Sequence, residues 1–362
     1  MARRTVSALI AAVALAATLL LVRGLSFGGP DASVSEIDTN LRLRALPNVT
    51  SDIRAELAPR TPLDVVGRNA DGSWLAVITP DERGGWVARE YVDLNINLNA
   101  LRVSDGLTVI VPEPQIAPEV AAHVREIAAR GAVLGRDPHS FSKVGDSITA
   151  APHMLTPIAR DLLTLGDFES LADVADHYTK EAFGADSLAA RSGWASTEVL
   201  KPELVADNPL CEADETPLAC EYRVRNPSVA LIMFGTNDVS VLTADAYRAY
   251  MTRIIEATIS AGIVPVISTI PTRAGFEDKV IAFNVVIREL AAEYRIPLWQ
   301  YGAVMHFLPN NGLSGDGVHP SLPYLGLDGV TDFRAENLVS GYVIRNLGAL
   351  QMLDAVRTAS GS

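Results

Sequence analysis

Apolar and polar positions follow three different rhythms along the chain. From Thr5 to Val22 the residues are uncharged and largely apolar, with Arg3 and Arg4 just before and Arg23 just after. From Leu41 to Val92 the apolar runs are short: "LDVVGR", "SWLAVIT" and "GGWVAREYV". They are separated by "NADG" and "PDERG", which is turn chemistry, so this stretch predicts a small all-β domain. From about Leu101 the runs lengthen and alternate in type. "APEVAAHVREIAARG" has a helical period and stops at Gly131. "SVALIMFG", "IVPVISTIP" and "IPLWQYG" read as buried strands. The helical stretches "TADAYRAYMTRIIEATISAG" and "EDKVIAFNVVIRELAAEY" lie between them, with Thr243 placed to cap the first. A last helix is expected to run through "FRAENLVSGYVIRNLGALQMLDAV". Strand-helix alternation of this kind predicts a central parallel sheet covered by helices on both faces.

These rhythms divide the chain. Residues 1–24 form the first segment. Residues 25–37, rich in small and polar types, read as a linker; 38–97 form the small β domain, and 98–362 the α/β domain. The first apolar run is about long enough to cross a bilayer, and positive residues at its start hold that end in the cytoplasm. A cleaved signal more often has a shorter apolar core with a small-x-small site just after it, whereas this core runs into Arg23, which favours an uncleaved anchor over a cleaved signal. Either way the remainder is expected outside the cytoplasm, membrane-anchored or secreted.

Charge and cysteines narrow the function classes. The net charge is −13 and no Lys/Arg cluster occurs, which disfavours a nucleic-acid partner. Cys211 and Cys220 bracket "CEADETPLAC", a spacing that fits no zinc pattern. In an oxidising compartment they would form a disulfide stabilising by roughly 2–3 kcal/mol. The acidic, Pro-punctuated segment around them, "DNPLCEADETPLACEYRVRNP", reads as a surface excursion.

Candidate chemistry sits where active groups of an open α/β sheet collect, beyond the carboxyl ends of the strands. "VGDSIT" presents Ser147, "RSGWAS" contains Gly193, "FGTNDV" contains Asn237, and "GDGVHPS" contains Asp316 and His319. A serine hydroxyl attacks an ester only when a base removes its proton, and His319 is the candidate base. The base needs its second ring nitrogen held by an acceptor, and Asp316, three residues earlier, can curl back to supply it. A tetrahedral intermediate needs preset donors for its oxyanion. The backbone N–H groups of Ser147 and Gly193 and the amide of Asn237 are of the right kind. Each element alone has a plainer reading as a capped turn, a loop glycine or a strand-to-helix turn. Asp146, Asp238, Asp316 and His319 are also of the types that hold a metal in a metal-dependent hydrolase. Asp137 and His139, a few residues before Ser147, are candidates for a wall of the site, or part of a solvated connection.

Two resemblances join these observations. The order and wording of "GDSIT", "GTNDV" and "DGVHPS" resemble the SGNH hydrolases, also called the GDSL esterase/lipase family, over roughly residues 109–356. The four residues that name that family match Ser147, Gly193, Asn237 and His319. The resemblance implies a three-layer α/β/α sandwich (SGNH/flavodoxin-like), no cofactor and no metal. It also implies a Ser147–His319–Asp316 ester hydrolase acting on an O-acyl carbohydrate, a lipid or a small ester. The first strand and Gly-Asp-Ser of many members open the domain, whereas here a helix and "VLGRDPHSFS" precede them. "NLRLRALPN", "DGSWLAV" and "GGWVAREYV" resemble the bacterial SH3-like domains. That likeness implies a cell-wall or glycan ligand, with Trp74 and Trp86 either stacking on it or filling a small core. A non-catalytic envelope-binding protein using this domain is the alternative function.

Overall fold

The computed structural model describes residues 31–104 and 111–361. The apolar run Thr5–Val22, and with it the anchor reading of residues 1–24, lies outside the described residues. Among the described residues no helix is long and apolar enough to cross a membrane.

The N-terminal part is a seven-stranded antiparallel sheet. Its strands are β1 (Ala32–Val34), β2 (Leu41–Arg44), β3 (Ile53–Leu57), β4 (Pro62–Arg68), β5 (Trp74–Ile78), β6 (Gly84–Ala88) and β7 (Val92–Leu94), ordered β3-β2-β6-β5-β4-β1-β7. Strand β4 shows why the pattern works: Leu63, Val65 and Gly67 turn inward in strict alternation. The following turn closes because Asn69 and Asp71 accept the backbone N–H groups of Trp74 and Ser73, and Gly72 takes a φ of +74°. Leu43, Leu63, Leu75, Val77 and Val87 fill the core.

The linker reading of residues 25–37 does not hold for 32–34. Ala32 and Val34 are buried, and β1 lies between β4 and β7. Asp31, just before β1, accepts the Val65 N–H at 3.1 Å. Two apolar residues are too short a run to display a period, so the pairing was invisible in the pattern. At the other end Leu98 and Leu101 pack on the same core and Val103 bridges Arg68, so this unit extends beyond residue 97.

The second part is built on four parallel strands, β8 (Asp137–Gly145), β9 (Pro227–Met233), β10 (Val264–Ser268) and β11 (Leu298–Trp299), in the order β11-β10-β9-β8. Its helices are α1 (Pro118–Val133), α2 (Ser147–Ala150), α3 (Ala172–His177), α4 (Lys180–Gly184), α5 (Pro217–Arg225), α6 (Asp238–Val241), α7 (Ala244–Ser260), α8 (Glu277–Tyr294), α9 (Tyr301–Met305) and α10 (Gly341–Ser360). The strands step in one direction across the sheet, so right-handed crossovers put α5, α7 and α8 on one face. Tyr222 of α5 meets Thr258 of α7 at 2.8 Å, and Tyr247 of α7 stacks on Phe283 of α8 at 4.2 Å. Helices α1 and α10 pack on each other, and Arg345 of α10 reaches Met233 at the end of β9. The result is an α/β fold on a parallel sheet.

Three details differ from the sequence pattern. "VLGRDPHSFS" is not a loop throughout, because β8 begins at Asp137; its exposed Pro138 and His139 disguise a strand whose buried part starts at Ser140. Asp137 and His139 therefore sit at the end of β8 opposite Ser147 and do not line its site. His139 instead packs on His177 at 4.6 Å. The cysteine segment is only half a surface excursion, since Cys220, Glu221 and Tyr222 are buried on α5. Its Glu221 carboxylate accepts from Ser142 and from Leu188 N–H, each at 2.8 Å. The last helix starts at Gly341, because residues 326–340 form short turns.

Candidate active site

The site is assembled from the carboxyl ends of β8 and β9 and from two loops. Gly145 ends β8, where a Cβ would lie 2.4 Å from both Met233 O and Thr149 Oγ1, so only glycine fits. Gly145 also exchanges backbone bonds with Ala189 O and Arg191 N–H, so residues 189–191 run as a one-bridge extension along the free edge of β8. Asp146 then caps α2 by accepting the Ile148 N–H at 2.9 Å. Its carboxyl is fully buried, and burial pushes its pKa up to about 6. This turn presents Ser147.

Ser147 Oγ lies 3.0 Å from His319 Nε2. His319 Nδ1 donates to Asp316 Oδ2 at 2.7 Å. With the carboxylate as acceptor, Nδ1 carries the hydrogen and Nε2 is left to accept from the serine hydroxyl. Asp316 does more than hold the ring. Its Oδ1 accepts the Val318 and His319 N–H groups at 2.9 Å each, and the Ser314 hydroxyl at 2.7 Å. Partial burial would raise its pKa. The bonds from His319, Val318 and Ser314 outweigh this and hold the carboxyl well below the usual carboxylate range. The positive φ of Gly317, +68°, lets the loop curl tightly enough for these contacts.

The donor side is braced rather than loose. Asn237 Nδ2 donates one hydrogen to Trp194 O at 2.8 Å, which leaves the second amide hydrogen free. The Ser147 and Gly193 N–H groups have no acceptor among the described residues. Gly193 takes a φ of +81°, the reason a glycine stands there, while a Cβ would meet nothing within 4 Å. Asp238 ties the two loops together: Oδ1 accepts the Ser196 N–H at 2.8 Å and Oδ2 the Gly235 N–H at 3.0 Å. Sequence reasoning placed Asp238 only among possible metal ligands and passed over Ser196, although both stand inside the quoted motifs.

The four metal-candidate residues are committed elsewhere: Asp146 to the α2 cap, Asp238 to the loop brace, Asp316 and His319 to each other. Among the described residues, the one cluster close enough to hold an ion is Cys211, Glu215 and Cys220. Its two sulfurs are joined in a disulfide, as expected from the sequence. Trp86, a candidate stacking residue, is 2% exposed and packs with Ala76 and Phe307; Trp74 is partly buried beside them.

Residues 144–322 match the family described as GDSL-like lipase/acylhydrolase. These residues form a GDSL-like lipase/acylhydrolase domain. The chain is an ester hydrolase. Solved structures similar to this GDSL-like hydrolase include a GDSL-like lipase from Bacteroides thetaiotaomicron, 17% identical, covering 66% of this chain and 99% of that one with a TM-score of 0.38. An acetyl esterase mutant with acetate ion is 18% identical, covers 60% and 99%, and has a TM-score of 0.41. A carbohydrate esterase family 3 protein from Talaromyces cellulolyticus is 17% identical, covers 60% and 98%, and has a TM-score of 0.40. No curated protein matches the chain.

Proposed function

We propose that this GDSL-like hydrolase cleaves acyl esters through an acyl-serine intermediate on Ser147. The observation that carries this is the continuous line from Ser147 Oγ to His319 Nε2 at 3.0 Å and from His319 Nδ1 to Asp316 at 2.7 Å. Ser147 Oγ bonds to the ester carbonyl carbon while its proton moves to His319 Nε2. The Ser147 and Gly193 N–H groups and the free amide hydrogen of Asn237 receive the oxyanion. Collapse expels the alcohol, which takes the proton from His319. A water gives a proton to His319 and attacks the acyl-Ser147 carbonyl; the acyl–Oγ bond then breaks, His319 returns the proton to Ser147 Oγ, and the acid leaves. No metal or cofactor enters these steps.

The substrate proposed is an O-acyl carbohydrate, a lipid or a small ester, met outside the cytoplasm. The apolar N-terminal run and the Cys211–Cys220 disulfide support that location. The small domain, read as SH3-like, would supply a cell-wall or glycan contact. The alternative of a purely binding protein is weakened by Trp86, which is buried and cannot stack on a ligand.

The test is hydrolysis of p-nitrophenyl acetate by the full chain and by Ser147→Ala. We expect the variant to lose activity by about 10⁴-fold or more, and a chelator to leave the wild type unaffected. A variant that keeps wild-type turnover would overturn the serine mechanism.

A further inference from the structure

Helix α10 runs beneath the site, and its Arg345 is the largest fully buried side chain among the described residues. The guanidinium lies 5.1 Å from the ring centres of both Trp299 and Tyr301. It has no carboxylate partner within ion-pair distance among the described residues. Its Nη2 donates to Thr149 Oγ1 at 2.9 Å and its Nη1 to Met233 Sδ at 3.0 Å. These two acceptors belong to the two elements that make the site. Thr149 is on α2, the short helix opened by Ser147. Met233 ends β9, which leads into the loop of Asn237. The buried carboxyl of Asp146, at the Ser147 turn, faces the guanidinium beyond ion-pair distance and is its nearest compensating acid. A buried cation held in this way is a costly filling for the space, and an apolar side chain of similar volume would often be as stable or more so. Its retention needs a reason beyond packing. A planar, rigid fork that bonds both elements at once sets their spacing, which a flexible ammonium would not do.

We propose that Arg345 is a positioning residue for the ester hydrolysis, its guanidinium fork holding the Ser147 turn at a set distance from the strand that leads to Asn237. This rests on Ser147 being the nucleophile. Other residues of α10 complete the same platform. Gly341 N–H donates to Ser321 Oγ at 2.9 Å and Tyr342 N–H to Ser321 O at 3.0 Å, just beyond His319. Asn346 accepts the Leu155 N–H at 2.9 Å and donates to His153 O at 2.8 Å. One helix therefore contacts the nucleophile turn, the end of β9 and the base loop, and Arg345 is its only charged contact with the site.

The experiment measures kcat, KM and melting temperature of the full chain with p-nitrophenyl acetate for wild type, Arg345→Met, Thr149→Val, the double variant and Ser147→Ala. Arg345→Met should keep or raise the melting temperature and leave KM within about twofold, while kcat falls by about 10- to 100-fold, the scale of a small misplacement of reacting groups. Thr149→Val, assayed well below its melting temperature, should lower kcat less, again at unchanged KM. The double variant should be no worse than Arg345→Met. A wild-type kcat in Arg345→Met, or a loss that follows a lowered melting temperature, overturns the proposal. If Arg345→Met does not fold, Thr149→Val decides: unchanged kcat overturns the role, lowered kcat supports it. An active Ser147→Ala would instead overturn the serine mechanism itself. An inactive Ser147→Ala beside fully active Arg345→Met overturns the positioning role alone.

Discussion

His306 and His319 lie on one stretch of chain between β11 and α10, yet their surroundings are opposite. His319 is in the loop that holds the candidate site; its side chain is 42% exposed and Asp316 is its partner. His306 is in the segment on which the small β domain docks. Its Nδ1 accepts the Gly84 N–H at 3.1 Å, and Arg54 donates to Gly84 O at 2.8 Å. Burial, then the charges of Arg54 and Arg83, pull the His306 pKa down to about 3. The same docking face holds Glu82, fully buried and paired with Arg288 at 2.6 Å and with Gln300 at 3.1 Å. A base must reach water and have an acceptor behind it, so that it can take a proton and give it back. A docking histidine must stay neutral, because its ring nitrogen is spent as an acceptor. Residue type therefore says little; the neighbouring charge and the access to water decide.

The largest expected effect separates the two environments at Asp316. Asp316→Asn can keep the Val318 and Ser314 contacts through its oxygen but turns an amide N–H toward His319 Nδ1, which favours the wrong tautomer. We expect kcat to fall by about 10⁴-fold with little loss of stability. A fall of less than tenfold would mean that the acceptor behind His319 is unimportant. Next comes Asn237→Ala, which removes one of the proposed oxyanion donors and should cost about 10²- to 10³-fold in kcat, with KM little changed. An effect on KM alone would show that Asn237 binds the ground state.

The docking side is tested through stability. The unfolded chain protonates His306 near its ordinary pKa of 6.5, the folded chain only near about 3. Between these values the unfolded state binds more protons, so His306 contributes stability that is full above about 6.5 and lost as pH falls toward 3. The loss is on the order of a few kcal/mol at its limit. His306→Asn keeps an acceptor for Gly84 N–H without a titrating ring. Urea unfolding from pH 7 to pH 4 should show a smaller acid loss for this variant than for wild type; parallel curves would remove His306 as the cause. The smallest effect is expected at Gly84, where a Cβ would lie 2.4 Å from Ala303 O. Gly84→Ala should destabilise by about 1–3 kcal/mol, because a backbone oxygen cannot move aside cheaply. An unchanged melting temperature would mean that the two parts do not stay docked in solution.

Much of the site was legible because it is written in short, local motifs. Gly145, Asp146 and Ser147 form one turn. Asp316 and His319 form one loop, whose spacing alone allows the carboxylate to reach the ring. The strands β9 and β10 and the helices α7 and α8 were legible from unbroken apolar runs and a clear helical period. Strand β1 was not, since three residues carry no period. The start of β8 was hidden by Pro138 and His139, which are exposed although they are in a strand. Arg345 gave no signal at all. An arginine within an amphipathic helix reads as solvent-facing, and only the packing of α10 against β9 and α2 turns it inward.

What the sequence determined by itself is the chemistry on offer: a serine after a strand, a histidine with an acid three residues before it, and an asparagine and a glycine in separate loops. These follow from local spacing, because a few residues of backbone confine side chains to within bonding distance. Only the tertiary structure decided which of them meet. Ser147 and His319 are far apart in the chain and come to 3.0 Å because β8 and the loop before α10 end on the same side of the sheet. The same packing set His306, Trp86 and Arg345 in buried places. Burial depends on what lies across the core, and no local pattern carries that information.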